Sequence, residues 1–430
     1  MKQFFLCLGF CLSVCLQSNA QGYIILPMDD NQSNHMKAYG ITYQVLAAKQ
    51  EAYWLLNYQG GSFAFQYNDV FKKECIRRGV TYKVIPTASF NSILNEINDP
   101  QVNMEAMKLE VAPKIAVYSP TVNVRGQEVQ PWDDAVTLVL TYAEIPYDLV
   151  YDDEVLDGKL NEYDWVHLHH EDFTGQFGKF FASYSNQKWY KDHVRSMEAL
   201  AEKHGFKKVS QLKLAVVKKI REFVAGGGFM FAMCSATDTY DLALAADGVD
   251  ICDYMYDGDA PDPQAQSKLD YNNTFAFKDF QLVRDPLKYE FSTIDASPLT
   301  SPPRRVKDDV DYFTLFDFSA KWDPVPAMLT QSHTRTIKGF MGQTTAFRKN
   351  IIKSNVLILG ENKAANEARY IHGTFQKGFW SFYGGHDPED YRHYVHDPAT
   401  DLELHKQSAG YRLILNNVLF PAAKKKPRKT

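Results

Sequence analysis

Cys234 stands in the run Gly-Gly-Gly-Phe-Met-Phe-Ala-Met-Cys-Ser-Ala-Thr-Asp, where three glycines, an apolar strand and a small-residue helix follow one another without a break. A parallel strand that turns straight into a helix exposes its first side chain after the strand and sets the helix amides behind it. Such a turn is crowded, and Ala232 and Ala236 are the small neighbours it needs. The arrangement predicts a thiol nucleophile at Cys234, with the Ser235 amide placed to hold an oxyanion. The competing expectation is that Cys234 is a small buried residue at a strand end. A nucleophilic thiol needs a base, and the base needs an acid to fix its tautomer. His386, with Asp387 and Glu389 behind it in Tyr-Gly-Gly-His-Asp-Pro-Glu-Asp, can supply both from one segment.

A second chemistry competes for the same residues. Six of the twelve histidines fall in the windows 167–170 and 386–396. His167 and His169 are spaced to share one strand face, with His170 on the other. If the two segments are neighbours, His169 or His170, Glu171 or Asp172, and His386 form a donor set for zinc or another divalent metal. The His-x-His-His segment resembles the histidine-rich loop of metallo-β-lactamase-type hydrolases but lacks its Asp-His ending. The run Tyr256 to Asp262 offers oxygen ligands without the EF-hand spacing and reads as an acidic loop.

These residues must be positioned by alternating strands and helices. From Tyr23 onward the pattern predicts three strands and three helices over 21–112, including an amphipathic helix with Met36, Tyr39, Tyr43 and Leu46 on one face and a helix from Ser89 to Leu109. Alternation of this kind predicts parallel pairing. The pattern restarts at Lys114 and runs through strands at 114–118, 147–151 and 163–170, a helix from Trp132 to Glu144, and a helix from Leu212 to Ala225 with Val216, Val217, Ile220, Phe223 and Val224 as its apolar stripe. It lapses over 251–344, rich in Asp, Pro and aromatics, and resumes over 345–423. The expected fold is α/β: a flavodoxin-like, doubly wound parallel sheet formed by 113–250 and 345–423, preceded by a smaller α/β region, with 251–344 as an irregular insertion roofing the carboxyl ends of the strands. Tyr256, Phe316 and Trp322 of that insertion are candidate substrate walls.

The 430 residues are 45% hydrophobic, enough for a sizeable core. Lys2, the apolar run Phe4 to Leu16, and Ser18 and Ala20 predict a signal peptide over 1–20, too short to span a membrane. The expectation is therefore a soluble, exported protein, periplasmic or extracellular, with no integral membrane span. Loss of Lys2 with the leader takes the net charge from −5 to −6, which argues against nucleic acid as a partner. Cys75, Cys234 and Cys252 remain, an odd number, so at least one thiol is free or pairs between chains. Lys424 to Thr430 reads as a solvated basic tail.

Taken together, the segments Glu-Tyr-Asp-Trp-Val-His-Leu-His-His, Arg-Glu-Phe-Val-Ala-Gly-Gly-Gly-Phe-Met-Phe-Ala-Met-Cys and Gly-Thr-Phe-Gln-Lys-Gly-Phe-Trp-Ser-Phe-Tyr-Gly-Gly-His-Asp-Pro-Glu-Asp resemble the class I glutamine amidotransferase-like superfamily, especially its ThuA-like (trehalose-utilization) branch. The resemblance implies a flavodoxin-like sheet with cysteine on the elbow and a later His-x-Glu completing a triad. Cys234 and His386 match by position, whereas Glu389 comes one residue late and Asp387 is adjacent. The whole chain also resembles exported proteins labelled asparagine synthetase B. Enzymes of that name use an amino-terminal cysteine and a Ser-Gly-Gly-x-Asp-Ser loop; here residue 2 is lysine and no such loop exists. The leading expectation is a thiol-dependent hydrolase or amidohydrolase acting on a small molecule, sugar or peptide, with no required cofactor. In it Cys234 attacks, His386 shuttles the proton, Glu389 or Asp387 orients it, and Ser235 with Thr174 and Gly175 holds the oxyanion. A non-catalytic carbohydrate- or peptide-binding protein and a metal-dependent hydrolase using His169, His170, Glu171 and Asp172 are its rivals.

Overall fold

The computed structural model describes residues 22–120, 134–298, 300, 302–307, 310–340, 342–390 and 398–423; the expected leader and basic tail lie outside them. The chain opens with strands β1 (Gly22–Leu26), β2 (Ala52–Leu56), β3 (Ser62–Gln66), β4 (Lys83–Pro86) and β5 (Glu105–Leu109), and helices α1 (His35–Ala47), α2 (Asp69–Arg77) and α3 (Thr87–Asn98). They form a sheet of order β4-β1-β3-β2-β5. Every pairing in it is antiparallel, which corrects the parallel arrangement expected from alternation. The cause is β3, hidden behind a tight reversal at 57–61. Asn57, Gln59, Gly60 and Gly61 all have positive φ there, and a Cβ on Gly60 would sit 2.4 Å from the Met28 carbonyl oxygen. β1 to β4 thus follow the split β-α-β order. α3 stops at Asn98 rather than Leu109 because Asp99-Pro100 cannot continue a helix, and Glu105–Leu109 becomes a strand with alternate residues buried.

The second sheet runs β11-β10-β13-β14-β15-β9-β8-β6-β7, with β12 on β14. Its strands are β6 (Ile115–Tyr118), β7 (Asp148–Val150), β8 (Trp165–Leu168), β9 (Phe229–Met233), β10 (Tyr312–Leu315), β11 (Thr336–Lys338), β12 (Phe347–Arg348), β13 (Leu357–Asn362), β14 (Glu367–Phe375) and β15 (Gly378–Tyr383). The five from β15 to β7 pair in parallel. The others pair antiparallel, so the molecule is mixed α/β. The insertion is less irregular than expected, because it contributes β10 and β11 to this sheet.

Helices α4 (Ala135–Ala143), α5 (Asp152–Leu156), α6 (Phe181–Tyr184), α7 (Lys188–Lys203), α8 (Val209–Gly226) and α9 (Ala236–Ala245), and the C-terminal helix Ala409–Leu419, complete the core. β8 and β9 are buried along their whole length, and their alternate residues face two cores. Trp165, Phe229, Phe231 and Met233 pack with α1, α4 and the C-terminal helix. Val166, Leu168, Met230 and Ala232 meet Val216, Val217 and Ile220 of α8 and Tyr240 of α9. Each buried Val, Leu, Ile, Phe or Met among them stabilises the fold by about 1.5–3 kcal/mol. Ile24, Trp54 and Phe63 share the first core, so α1 joins the two sheets. Among the described residues no helix is long and apolar enough to cross a membrane.

Candidate functional site

β9 turns into α9 at Cys234, which takes φ +53°, a left-handed conformation uncommon outside glycine. The turn is held by the Cys234 amide donating to the Gly385 carbonyl at 3.1 Å and the Ala236 amide donating to the His169 carbonyl at 2.9 Å. The ends of β8, β9 and β15 are thereby tied together. The expected sharp turn is present, but its thiol is only 4% exposed. Burial pushes it up to about 12, against the Ser235 and Gln343 amides, while Asp238 and Asp295 push it the same way as burial. A thiol in that state is almost wholly protonated at neutral pH and is a weak nucleophile. Cys75 and Cys252 are also buried and free.

The two histidine segments do meet. His169 Nε2 lies 2.8 Å from His386 Nδ1. The His170 ring stacks on His169 at 3.8 Å between centroids and meets His386 at 4.4 Å. One ring nitrogen from each of the three lies within 4.8 Å of the others. His170 joins its neighbours, contrary to strand alternation, because β8 ends at Leu168 and the chain bends there. It is the exposed member, so the cluster opens to solvent on its side.

Behind them stands Asp134, the N-cap of α4, whose Oδ1 accepts from the Val136 and Thr137 amides at 2.7 and 3.0 Å. It also faces His167 Nε2 at 3.1 Å and His169 Nδ1 at 3.3 Å. Burial disfavours the Asp134 carboxylate, but His167 and His169 outweigh it and hold the group well below the usual range. His169 in turn is lowered by burial, with Asp134 opposing, which favours the neutral imidazole a metal requires. His167 faces two acceptors, Asp134 and the Phe231 carbonyl at 3.2 Å from Nδ1. Both its nitrogens are engaged there, so it supports Asp134 and stands outside the cluster of His169, His170 and His386.

The donor set fits a transition metal. His169 turns Nδ1 to a carboxylate and Nε2 to the cluster, the usual orientation of a ligating histidine. Two nitrogens on tetrahedral zinc are about 3.3 Å apart, so the pair now 2.8 Å apart need open by only roughly 0.5 Å.

Several expected partners are engaged elsewhere. Glu171 turns to buried Lys213 at 3.3 Å, and Asp172 accepts from the Thr174 and Gly178 amides at 2.7 and 2.9 Å. Gly175 is pressed against Ser210 at the start of α8, so the Thr174–Gly175 loop is bound to Asp172 and that helix. Asp387 accepts from Tyr411 and Thr400 at 2.6 and 2.8 Å, and Glu389 pairs with His405 at 3.2 Å. Tyr256 is buried beside Phe177, while Phe316 and Trp322 belong to a surface where Lys321 donates to the Ile97 carbonyl of the N-terminal unit. The acidic grouping of Asp250, Cys252 and Asp257 already surrounds the Lys208 ammonium, 2.5 Å from Asp250 and 3.0 Å from Asp257. A cavity of about 510 Å³ between α8 and α9 lies apart from the histidines, and one of about 300 Å³ opens beside Pro388 and Glu389. Asp134 was the residue missed: an Asp just before an apolar helical run is a cap signal, but the helix was expected to start at Trp132.

No protein-family model matches the chain, and no curated protein matches it. Among solved structures, two cytoplasmic proteins of Salmonella typhimurium align at TM-scores of 0.33 with 11% and 13% identity, over 73% and 72% of this chain and 100% of each of theirs. A GH42 beta-galactosidase aligns at a TM-score of 0.27 with 11% identity, over 64% of this chain and 28% of that one. Likenesses at these scores carry no argument about fold or function.

Proposed function

We propose that this protein is a divalent-metal-dependent hydrolase, with zinc held by His169, His170 and His386. The observation that carries the reading is the convergence of three imidazole nitrogens within 4.8 Å, one of them oriented by a buried carboxylate. Three protein ligands leave a tetrahedral metal one position for water or substrate. When bound, zinc supplies a Lewis acid that activates water at neutral pH. Asp134 fixes the His169 tautomer, His167 fixes Asp134, and His170 lines the approach from solvent.

The same reading takes the parallel half as a flavodoxin-like, doubly wound sheet and keeps the kinship with the ThuA-like branch. Supporting both is the order β7-β6-β8-β9-β15, which counted along the chain is 2-1-3-4-5. The cluster lies at the carboxyl ends of β8 and β15, where open parallel sheets bind ligands. Export belongs to this reading too, on the strength of the apolar run Phe4 to Leu16.

A second reading, a thiol hydrolase at Cys234, is favoured by its positive φ and by the Ser235 and Gln343 amides, which act to lower the thiol against burial. The depth of the thiol ranks it below the metal reading.

The deciding experiment is metal analysis of protein dialysed against zinc. We expect about one equivalent to be retained and to be lost in His169→Ala and His386→Ala. A folded wild-type protein that keeps no zinc would sink the metal reading.

A further inference from the structure

The loop that carries His386 is gripped on both sides. Before it, the Gly385 amide donates to the Thr344 carbonyl at 3.1 Å, and the Gly385 carbonyl takes the Cys234 amide. After it, the loop lies against the start of the C-terminal helix. Asp387, only 3% exposed, accepts from the Tyr411 and Thr400 hydroxyls on one oxygen and from the Glu389 amide at 2.9 Å on the other. Pro388 packs on Gly410 so closely that a Cβ there would sit 2.4 Å from the proline ring. Glu389 reaches His405, just ahead of the helix. Three successive residues after a proposed ligand are thus fastened to one short segment, 405–411.

The other side of that segment belongs to the N-terminal sheet. The Lys406 carbonyl accepts from the His35 amide at 3.0 Å, and the Gln407 side chain donates to the Gln32 carbonyl at 3.0 Å. Arg412 donates to the carbonyls of Met28, at 2.7 Å, and Gly60. Neighbouring residues on a helix point about 100° apart, so Tyr411 and Arg412 reach from one turn into two different parts of the molecule. Both are fully buried. A buried and bonded polar network rigidifies the groups it joins, so the turn transmits the position of the sheet to the loop.

A metal site tolerates little error in the placement of its ligands. Asp134 sets His169 through its ring, whereas the helix sets His386 through its backbone. We infer that Tyr411 is a positioning residue for His386, and that through the start of the C-terminal helix the docked N-terminal sheet raises the affinity of the histidine centre for metal. The word metal rests on the hydrolase reading; the placement of His386 does not.

The test is zinc affinity of the full chain, by competition with a chromophoric chelator, alongside histidine-ring nitrogen NMR of the metal-free protein. We expect Tyr411→Phe and Thr400→Val each to weaken zinc about tenfold. Gln407→Ala and Arg412→Lys, which alter neither a ligand nor Asp387, should weaken it about fivefold. Asp241→Ala, which removes the acceptor of the Phe275, Ala276 and Phe277 amides instead, is the control for lost stability and should leave zinc affinity unchanged. Without metal, Tyr411→Phe should shift the ring signals of His386 and His169 but not that of His372 within β14. The positioning role is overturned if Tyr411→Phe and Thr400→Val, both folded, bind zinc as wild type does, or if Asp241→Ala weakens zinc as much as they do. Unchanged affinity in both Gln407→Ala and Arg412→Lys overturns the part played by the N-terminal sheet. If folded wild type binds no zinc, the hydrolase reading and the affinity claim fall together and the NMR decides the rest: moved His386 and His169 signals keep the positioning role, and unmoved signals overturn it.

Discussion

An Asp134→Asn protein keeps an acceptor for the Val136 and Thr137 amides but loses the charge facing His167 and His169. If Asp134 orients a ligand, metal affinity should fall by about ten- to a hundredfold while the helix cap survives. Competition against a zinc-binding dye, paired with a thermal melt, separates the two effects; equal losses in both would make Asp134 a purely structural cap. Cys234 gives the opposite kind of expectation. With its thiol pushed up to about 12, it should resist iodoacetamide at pH 8 in the folded protein, as should Cys75, and react only on unfolding. Rapid alkylation of folded Cys234, read by peptide mass spectrometry, would restore the thiol reading. The residue types of the site were legible in the sequence: His169, His170 and His386 were recognised because histidine is rare at the ends of apolar strands. Their partners were not. Asp387 and Glu389 stand next to His386 in the chain, yet Tyr411, Thr400 and His405 claim them across the fold, while Asp134 arrives from a distant helix.

At the scale of elements, continuous apolar runs such as Phe229–Met233 could be read as buried parallel strands because both their faces are covered. Two short strands could not: β3 is hidden behind a glycine turn, and β5, with alternate residues buried, follows a helix whose end is set by one proline. The insertion was the least legible, since side chains from outside it fix its path. Asp241 of α9 accepts from the Phe275, Ala276 and Phe277 amides at 2.6, 2.7 and 2.9 Å. Asp311 and Glu367 pair with Arg304 at 3.0 Å each, and Arg369 meets Asp311 at 2.8 Å. Asp241→Ala would leave three buried donors unpaired, so we expect a loss of at least about 3 kcal/mol in urea unfolding with zinc retention unchanged. A loss under about 1 kcal/mol would mean that water replaces the carboxylate and that the insertion is anchored elsewhere.

For the whole molecule, the question is what holds the antiparallel sheet to the mixed one. Besides the shared core around α1, a buried guanidinium does so: Arg412 of the C-terminal helix donates to the carbonyls of Met28, at 2.7 Å, and Gly60, and contacts the Tyr39 hydroxyl at 3.3 Å. Two histidines stack beside it, His35 and His333, 4.2 Å between centroids. Burial and the Arg412 charge lower His35 to about 2 and His333 to about 4. Because these folded-state values lie below that of an unfolded histidine, near 6.5, the unfolded chain takes up protons first as pH falls. Stability should therefore be full above about pH 7 and decline from about pH 6.5 towards pH 4, at up to about 1.4 kcal/mol per pH unit for fully buried His35 and less for partly exposed His333. His372, lowered to about 3 by burial, acts in the same direction from within β14. A His35→Gln/His333→Gln protein should thus lose less stability on acidification than wild type without becoming independent of pH. Urea midpoints near pH 7, 5.5 and 4.5 decide it. Parallel curves for the two proteins would mean that the junction does not carry the acid sensitivity. A flatter curve for the variant would place the acid-labile step at the contact that joins the antiparallel sheet to the rest of the molecule.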